Sequence, residues 1–280
     1  MPALALALGA SIVYGASDFL GGLKSRKVAL LPVLLVSQGT ALLVLVASVS
    51  SFGGGPPSAE FLAYAALAGV AEAVGVAALY RGLASGVMSV VAPAAAAAPV
   101  VPVAVGILLG ELPAPIQGAG LVFAVVGIVA VSRERFTVKA ASAAVTASVA
   151  FGLLSAIGFG AFFVAMDAAS EGSVPWALMV SRATAVSIFA AAMVASRTRL
   201  DVPPAELPSI GLIGVLVIAA DSMYAIASTQ GLLSIVAVLS SLYPIVTIGL
   251  ARVYLNEHID RLRQAGIAAV FVGVVGISAA

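Results

Sequence analysis

Four charged side chains sit inside long apolar runs of this chain, where a charge must have either a use or a partner. Glu72 lies within LAGVAEAVGVAALY, Asp221 within LVIAADSMYAIAS, Arg182 within LMVSRATA, and Asp18 follows Tyr14 by one helical turn in YGASDFL. An acid or base held at mid-bilayer costs roughly 2.5–3.5 kcal/mol on insertion scales, so such groups mark an ion or substrate pathway or a closed salt bridge. Glu72 falls between Glu60 and Arg81, and at a rise of 1.5 Å per residue it lies about 13–18 Å from either end of a helix. It is therefore a candidate proton carrier; the alternative is a glutamate hydrogen-bonded within a helix contact. Asp221 shares a helix face with Tyr224 by i, i+3 spacing. That pair can bind an amine, relay a proton, or simply lock the bundle. Tyr14 and Asp18 also share a face, with Asp18 nearer the helix end as a gate or an interfacial group.

Arg182 needs an acidic partner, which the intramembrane carboxylates can supply, and a structural salt bridge suits it better than substrate contact. Tyr80, Ser228, Gln230 and Tyr243 are further candidates for hydrogen bonds into a cavity, although interfacial belts account equally well for tyrosines near span ends. Glu111 and Glu257 precede apolar segments, where acids oppose the helix dipole as caps. Pro93, Pro99, Pro102 and Pro244 are expected to bend or break their helices, freeing carbonyls toward a cavity or leaving a static kink.

The elements that position these groups follow from composition. With 62% hydrophobic and 9% charged residues and a mean hydropathy of +1.19, the chain belongs in lipid. Apolar segments of about 18–25 residues suit helices crossing roughly 30 Å of hydrocarbon. The expectation is an all-α membrane protein of ten spans: 2–22, 29–51, 60–80, 86–109, 114–132, 141–165, 174–195, 207–228, 232–251 and 261–279. No β-barrel alternation is visible. The chain has no cysteine and one histidine, His258, which leaves no thiolate or multi-histidine metal site. The acids are scattered singly, there is no GxxxxGK[ST] loop, and there is no basic patch for nucleic acid. An enzyme, a metal or a cofactor is not expected.

The chain also repeats itself. LLVSQGTA (34–41) matches LMVSRATA (178–185) at an offset of 144, which sets Gln38 against Arg182. Glu111, Gly120, Gly127 and Ser132 match Glu257, Gly266, Gly273 and Ser278 at 146, and an offset of 149 pairs Glu72 with Asp221. Two halves, 1–133 and 134–280, each hold five spans. An odd number of spans per half forces the halves into opposite orientations, the inverted-repeat plan with a substrate site near the midplane. Twelve of the thirteen basic residues fall in the loops after odd spans or, for Arg261 and Arg263, in the first turn of the span that follows such a loop, so those loops are expected in the cytoplasm and both termini outside.

YGASDFL at 14–20, Pro244 with Glu257, and then Gly266 and Gly273 resemble the EamA-type members of the drug/metabolite transporter superfamily over essentially the whole chain. The resemblance implies a ten-helix, two-repeat carrier in the bacterial inner (plasma) membrane that exports small metabolites, such as amino acids or related compounds, by alternating access. It also implies frequent coupling to protons and a cavity lined by spans 1, 3, 4, 6, 8 and 9. The partners expected are a small-molecule substrate, protons and the lipid bilayer. The alternatives are a nutrient or sugar importer of the same fold, or a passive channel. Three intramembrane acids against one arginine favour a cationic or zwitterionic substrate.

Overall fold

In hydrocarbon every backbone N–H and C=O must be satisfied within its own segment, so long runs of Ala, Val, Leu and Gly have little alternative to the helix. A computed structural model of the chain describes residues 2–25, 27–49, 55–85, 94–132, 142–255 and 261–278, all helix or short connection. The helices are α1 (Pro2–Ser25), α2 (Leu30–Val49), α3 (Ala59–Ser85), α4 (Val100–Leu108), α5 (Pro115–Ser132), α6 (Ser142–Gly172), α7 (Val174–Ser196), α8 (Leu207–Ser228), α9 (Leu233–Ser240), α10 (Tyr243–Leu255) and α11 (Arg261–Ser278). Six of them, α1, α2, α3, α6, α7 and α8, are long and apolar enough to cross a membrane. With the shorter apolar helices packed beside them, they make a multi-pass integral membrane protein.

The ends of the elements follow local chemistry. Pro115, Pro175 and Pro208 stand in the first turns of α5, α7 and α8, where a missing N–H costs nothing. Helix α7 stops at Arg197, whose φ of 53° turns the chain while Thr198 N–H donates back to the Met193 carbonyl at 3.1 Å. The expected ninth span is two helices, α9 and α10, parted at Ser241–Leu242. Pro244 has no N–H for the Ser240 carbonyl, so the α-helical ladder cannot continue through this point. Pro99 plays the same part ahead of α4, where Ala98 and Val100 close i→i+3 turns onto Ala95 and Ala97. The sixth span, expected to end at 165, continues to Gly172 and carries Asp167 inside a helix.

Packing relies on small residues. The principal helix pairs are α3 with α6, α5 with α11, α1 with α8, α3 with α7, α2 with α8 and α2 with α7, while α10 leans on α1 and α4 on α6. Glycines stand where several of these pairs approach closely. A Cβ on Gly15 would meet Val246 and the Tyr243 carbonyl, and one on Gly160 would meet Val101 and the Ala98 carbonyl. Gly69 abuts the Ser181 carbonyl, Gly214 abuts that of Ser37, Gly120 faces Gly273, and Gly127 faces Gly266. Alanine and glycine thus bring helix backbones close enough for dispersion contacts to hold a bundle that has no water to exclude.

Candidate functional site

The glycine contacts decide where the charges meet. Gly69 sets α3 against Ser181 of α7, so Glu72, one turn beyond Gly69, comes level with Arg182. Gly214 sets α8 against Ser37 of α2, which brings Gln38 to the same junction. Arg182 then donates from Nη1 to Glu72 Oε1 at 2.8 Å, from Nη1 to Gln38 Oε1, and from Nη2 to Asp221 Oδ2. Tyr14 on α1 donates its hydroxyl to Asp221 Oδ1 at 2.5 Å. Gln38 Nε2 reaches Glu72 Oε1 at 3.5 Å. Five helices are therefore tied at one guanidinium that is 1% exposed. Among the described residues, two buried polar atoms in this network keep no partner, Glu72 Oε2 and Arg182 Nε.

Beside the network lies a cavity of about 70 Å3 lined by Tyr14, Asp18, Glu72, Phe159, Phe162, Phe163, Asp221 and Tyr243. At roughly 10–15 Å3 per water it has room for a handful of waters. Tyr243 stands edge-on to Tyr14, with ring centres 6.3 Å apart and planes at 68°. Asp18 projects from α1 one turn past Tyr14 and forms no ion pair or hydrogen bond among the described residues. The wall is thus acidic on α1, α3 and α8 and aromatic on α6.

Of the residues singled out from sequence, Tyr14, Asp18, Glu72, Arg182, Asp221 and Tyr243 come together here. Tyr224 does not. Its hydroxyl donates to the Phe163 carbonyl at 2.7 Å, and its ring packs 4.6 Å from that of Phe163. Residues three apart on a helix still differ by about 60° in direction, so Asp221 turns toward α1 and α7 while Tyr224 turns toward α6, and Asp221 takes its phenol from Tyr14 instead. Ser228 is buried and donates to its own Ala225 carbonyl at 3.1 Å, away from the cavity wall. Gln230 is exposed in the turn after α8. The side chain of Tyr80 lies outside the described residues, as do Pro93, Glu257 and His258.

The glycine contacts follow a different offset from the 149 that pairs Glu72 with Asp221. Gly15 and Gly160 stand 145 residues apart, as do their partners Val101 and Val246, and Ala98 and Tyr243. Gly69 and Gly214 are also 145 apart and meet carbonyls of Ser37 and Ser181, which are 144 apart. On this register Glu72 corresponds to Val217, and Asp221 lies one helical turn beyond. Pro99 and Pro244 are likewise 145 residues apart. The same register places Tyr14 against Phe159 and Asp18 against Phe163. It is the signal that could have drawn attention to the α6 phenylalanines, which reading the sequence for polar groups passes over.

Glu111 caps a helix, but not the one that follows it. Its carboxylate accepts from Leu233 N–H and from Ser234 N–H at 3.0 Å, closing the first turn of α9, while Gln117 Oε1 serves α5 by accepting from Ala114 N–H at 3.0 Å. A Cβ on Gly106 would strike the Glu111 carboxylate, so that glycine holds the space open. Glu111→Ala is expected to lower stability by about 1–2 kcal/mol, with Glu111→Gln intermediate because one acceptor survives. Thermal unfolding of the detergent-solubilised protein checks this order. At a helix boundary, Glu206 pairs with Lys24 at 2.5 Å and with Lys27 at 3.9 Å. The hydrogen bond from Lys24 holds this carboxyl below its ordinary pKa and fastens the start of α8 to the end of α1.

Residues 146–279 match the EamA-like transporter family. No curated protein matches the chain significantly. One solved crystal structure superposes with a TM-score of 0.80 at 15% sequence identity, spanning 98% of this chain and 95% of its own. At that identity the likeness is one of fold alone.

Proposed function

We propose that this chain is a secondary active transporter of the drug/metabolite transporter superfamily, a proton-coupled exporter of small polar or amphipathic metabolites working by alternating access, a reading supported by the match of residues 146–279 to the EamA-like transporter family. The observation that carries this reading is the sharing of buried Arg182 between Glu72 and Asp221 at the wall of an intramembrane cavity. A cation divided between two acids can favour one or the other as helices shift. Glu72 keeps Oε2 without a partner among the described residues, an acceptor free to take a proton when the pairing with Arg182 changes. Protonation of either acid weakens its hold on Arg182, which links proton occupancy to how α3, α7 and α8 sit together.

The contact pattern supports two inverted five-helix halves, 1–133 and 134–280, around this site. Exchanging the halves carries α1·α8 onto α3·α6, α3·α7 onto α2·α8, and α1·α10 onto α4·α6, while α2·α7 and α5·α11 map onto themselves. The Gly120–Gly273 approach likewise maps onto Gly127–Gly266. Two states of such a pair differ by tilting one half against the other about a fixed centre. The bias of basic residues toward the loops after odd spans favours termini outside the cell.

Glu72→Gln and Asp221→Asn are the test, each reconstituted in proteoliposomes with labelled small amines and amino acids. The expected result is saturable counterflow in the unaltered protein and, in each variant, at least a tenfold loss of flux driven by an imposed pH gradient. Unchanged pH-driven flux in both variants removes these acids from coupling. Non-saturable flux without counterflow makes the protein a channel.

A further inference from the structure

We propose that the cavity takes a small organic ammonium ion with a compact apolar body, and that Asp18 is the residue its charge meets. This rests on reading the cavity as the transport site, and it narrows the substrate by charge. Three carboxylates line the cavity, Asp18, Glu72 and Asp221. Glu72 and Asp221 already share Arg182. Asp18 stands a turn away with no ion pair among the described residues, so a cation entering the cavity finds its counter-charge there.

An anionic group on the ligand would find none. Arg182 is the one cation at the site among the described residues; its two terminal nitrogens are committed to Gln38, Glu72 and Asp221, and its Nε is buried out of reach. A zwitterion would have to strip Arg182 from partners that already bind it, which leaves a buried acid uncompensated. The remaining wall is aromatic, from Tyr14, Phe159, Phe162, Phe163 and Tyr243. Ring faces attract a desolvated ammonium and accommodate an alkyl body, but offer a carboxylate nothing. The volume of about 70 Å3 limits the body to a few carbons.

Isobutylamine, valine and isovalerate present one branched alkyl body as a cation, a zwitterion and an anion, and their binding to the purified full chain in lipid nanodiscs by calorimetry is the experiment. Isobutylamine is expected to bind saturably and at least tenfold more tightly than valine, with isovalerate weaker still. Asp18→Asn is expected to weaken isobutylamine at least tenfold at unchanged melting temperature. Valine or isovalerate binding as tightly as isobutylamine overturns the proposal, as does the absence of isobutylamine binding or an Asp18→Asn variant that binds normally. The ligand series on the unaltered protein decides the matter even if a variant fails to fold. Counterflow separates this proposal from the transporter reading. Exchange of valine but not isobutylamine leaves a carrier without a cation site, whereas binding of isobutylamine without any counterflow leaves a cation site in a protein that is not a carrier.

Discussion

Arg182→Met is expected to destabilise the protein by about 3–5 kcal/mol, the cost of breaking a buried ion pair from one side. Membrane-embedded hydrogen bonds average only about 0.6 kcal/mol, because the unfolded helices find other partners in lipid. The larger figure applies here for a specific reason: one guanidinium compensates Glu72 and Asp221 together and also serves Gln38. Removing it strands two carboxylates inside the bundle. At roughly 2–4 °C per kcal/mol for a chain of this size, the midpoint should fall by about 10 °C. The triple variant Arg182→Met, Glu72→Gln, Asp221→Asn should recover most of that loss, because polar groups are then left without net charge. A single variant that melts like the unaltered protein would show that the network contributes little to holding α3, α7 and α8. If the triple variant melts no higher than the single one, the loss comes from packing around the arginine side chain.

Gly214→Ala and Gly69→Ala are the second pair of large effects. A methyl group on Gly214 runs into the Ser37 carbonyl, and one on Gly69 into that of Ser181. Neither obstacle can rotate aside, because both are helix backbone, so a whole helix must move. Overpacking of this kind costs about 1–3 kcal/mol and at times more. Gly39→Ala provides the contrast. It sits in α2 beside the same junction with no described residue near its Cβ position, and alanine there should stabilise by up to ~1 kcal/mol through helix propensity. Melting temperatures should therefore move in opposite directions for Gly214→Ala and Gly39→Ala. Flux should fall in the former too, since α8 carries Asp221 to Arg182 from that contact. Equal melting temperatures would mean that α2 and α8 are not held at the distance described.

Much of the site can be read from the chain because charge in lipid is so costly that each instance is conspicuous. Glu72, Asp18, Arg182 and Asp221 declare themselves by type and surroundings alone, and three of the four meet in one network. Partner assignment is a different matter. Tyr224 looks like the companion of Asp221 at i+3, yet the phenol that reaches Asp221 comes from Tyr14, 207 residues away. Glu111 reads as a cap for the helix after it and instead closes α9. Phe159, Phe162 and Phe163 look like lipid-facing or core residues in an apolar run, and nothing local marks them as a cavity wall.

The amino-acid sequence by itself determined that this chain lies in a membrane, that it is helical, roughly where its segments begin and end, and which few side chains carry charge into the bundle. Those properties follow from transfer free energies and backbone hydrogen bonding, which act residue by residue. Only the tertiary structure decided the register of 145 between the glycine contacts, the division of Arg182 between two acids one turn out of step, the break between α9 and α10, and the aromatic side of the cavity. These depend on how closely two backbones approach at particular glycines, and a helix rotated or shifted by one turn presents different side chains without changing its composition at all.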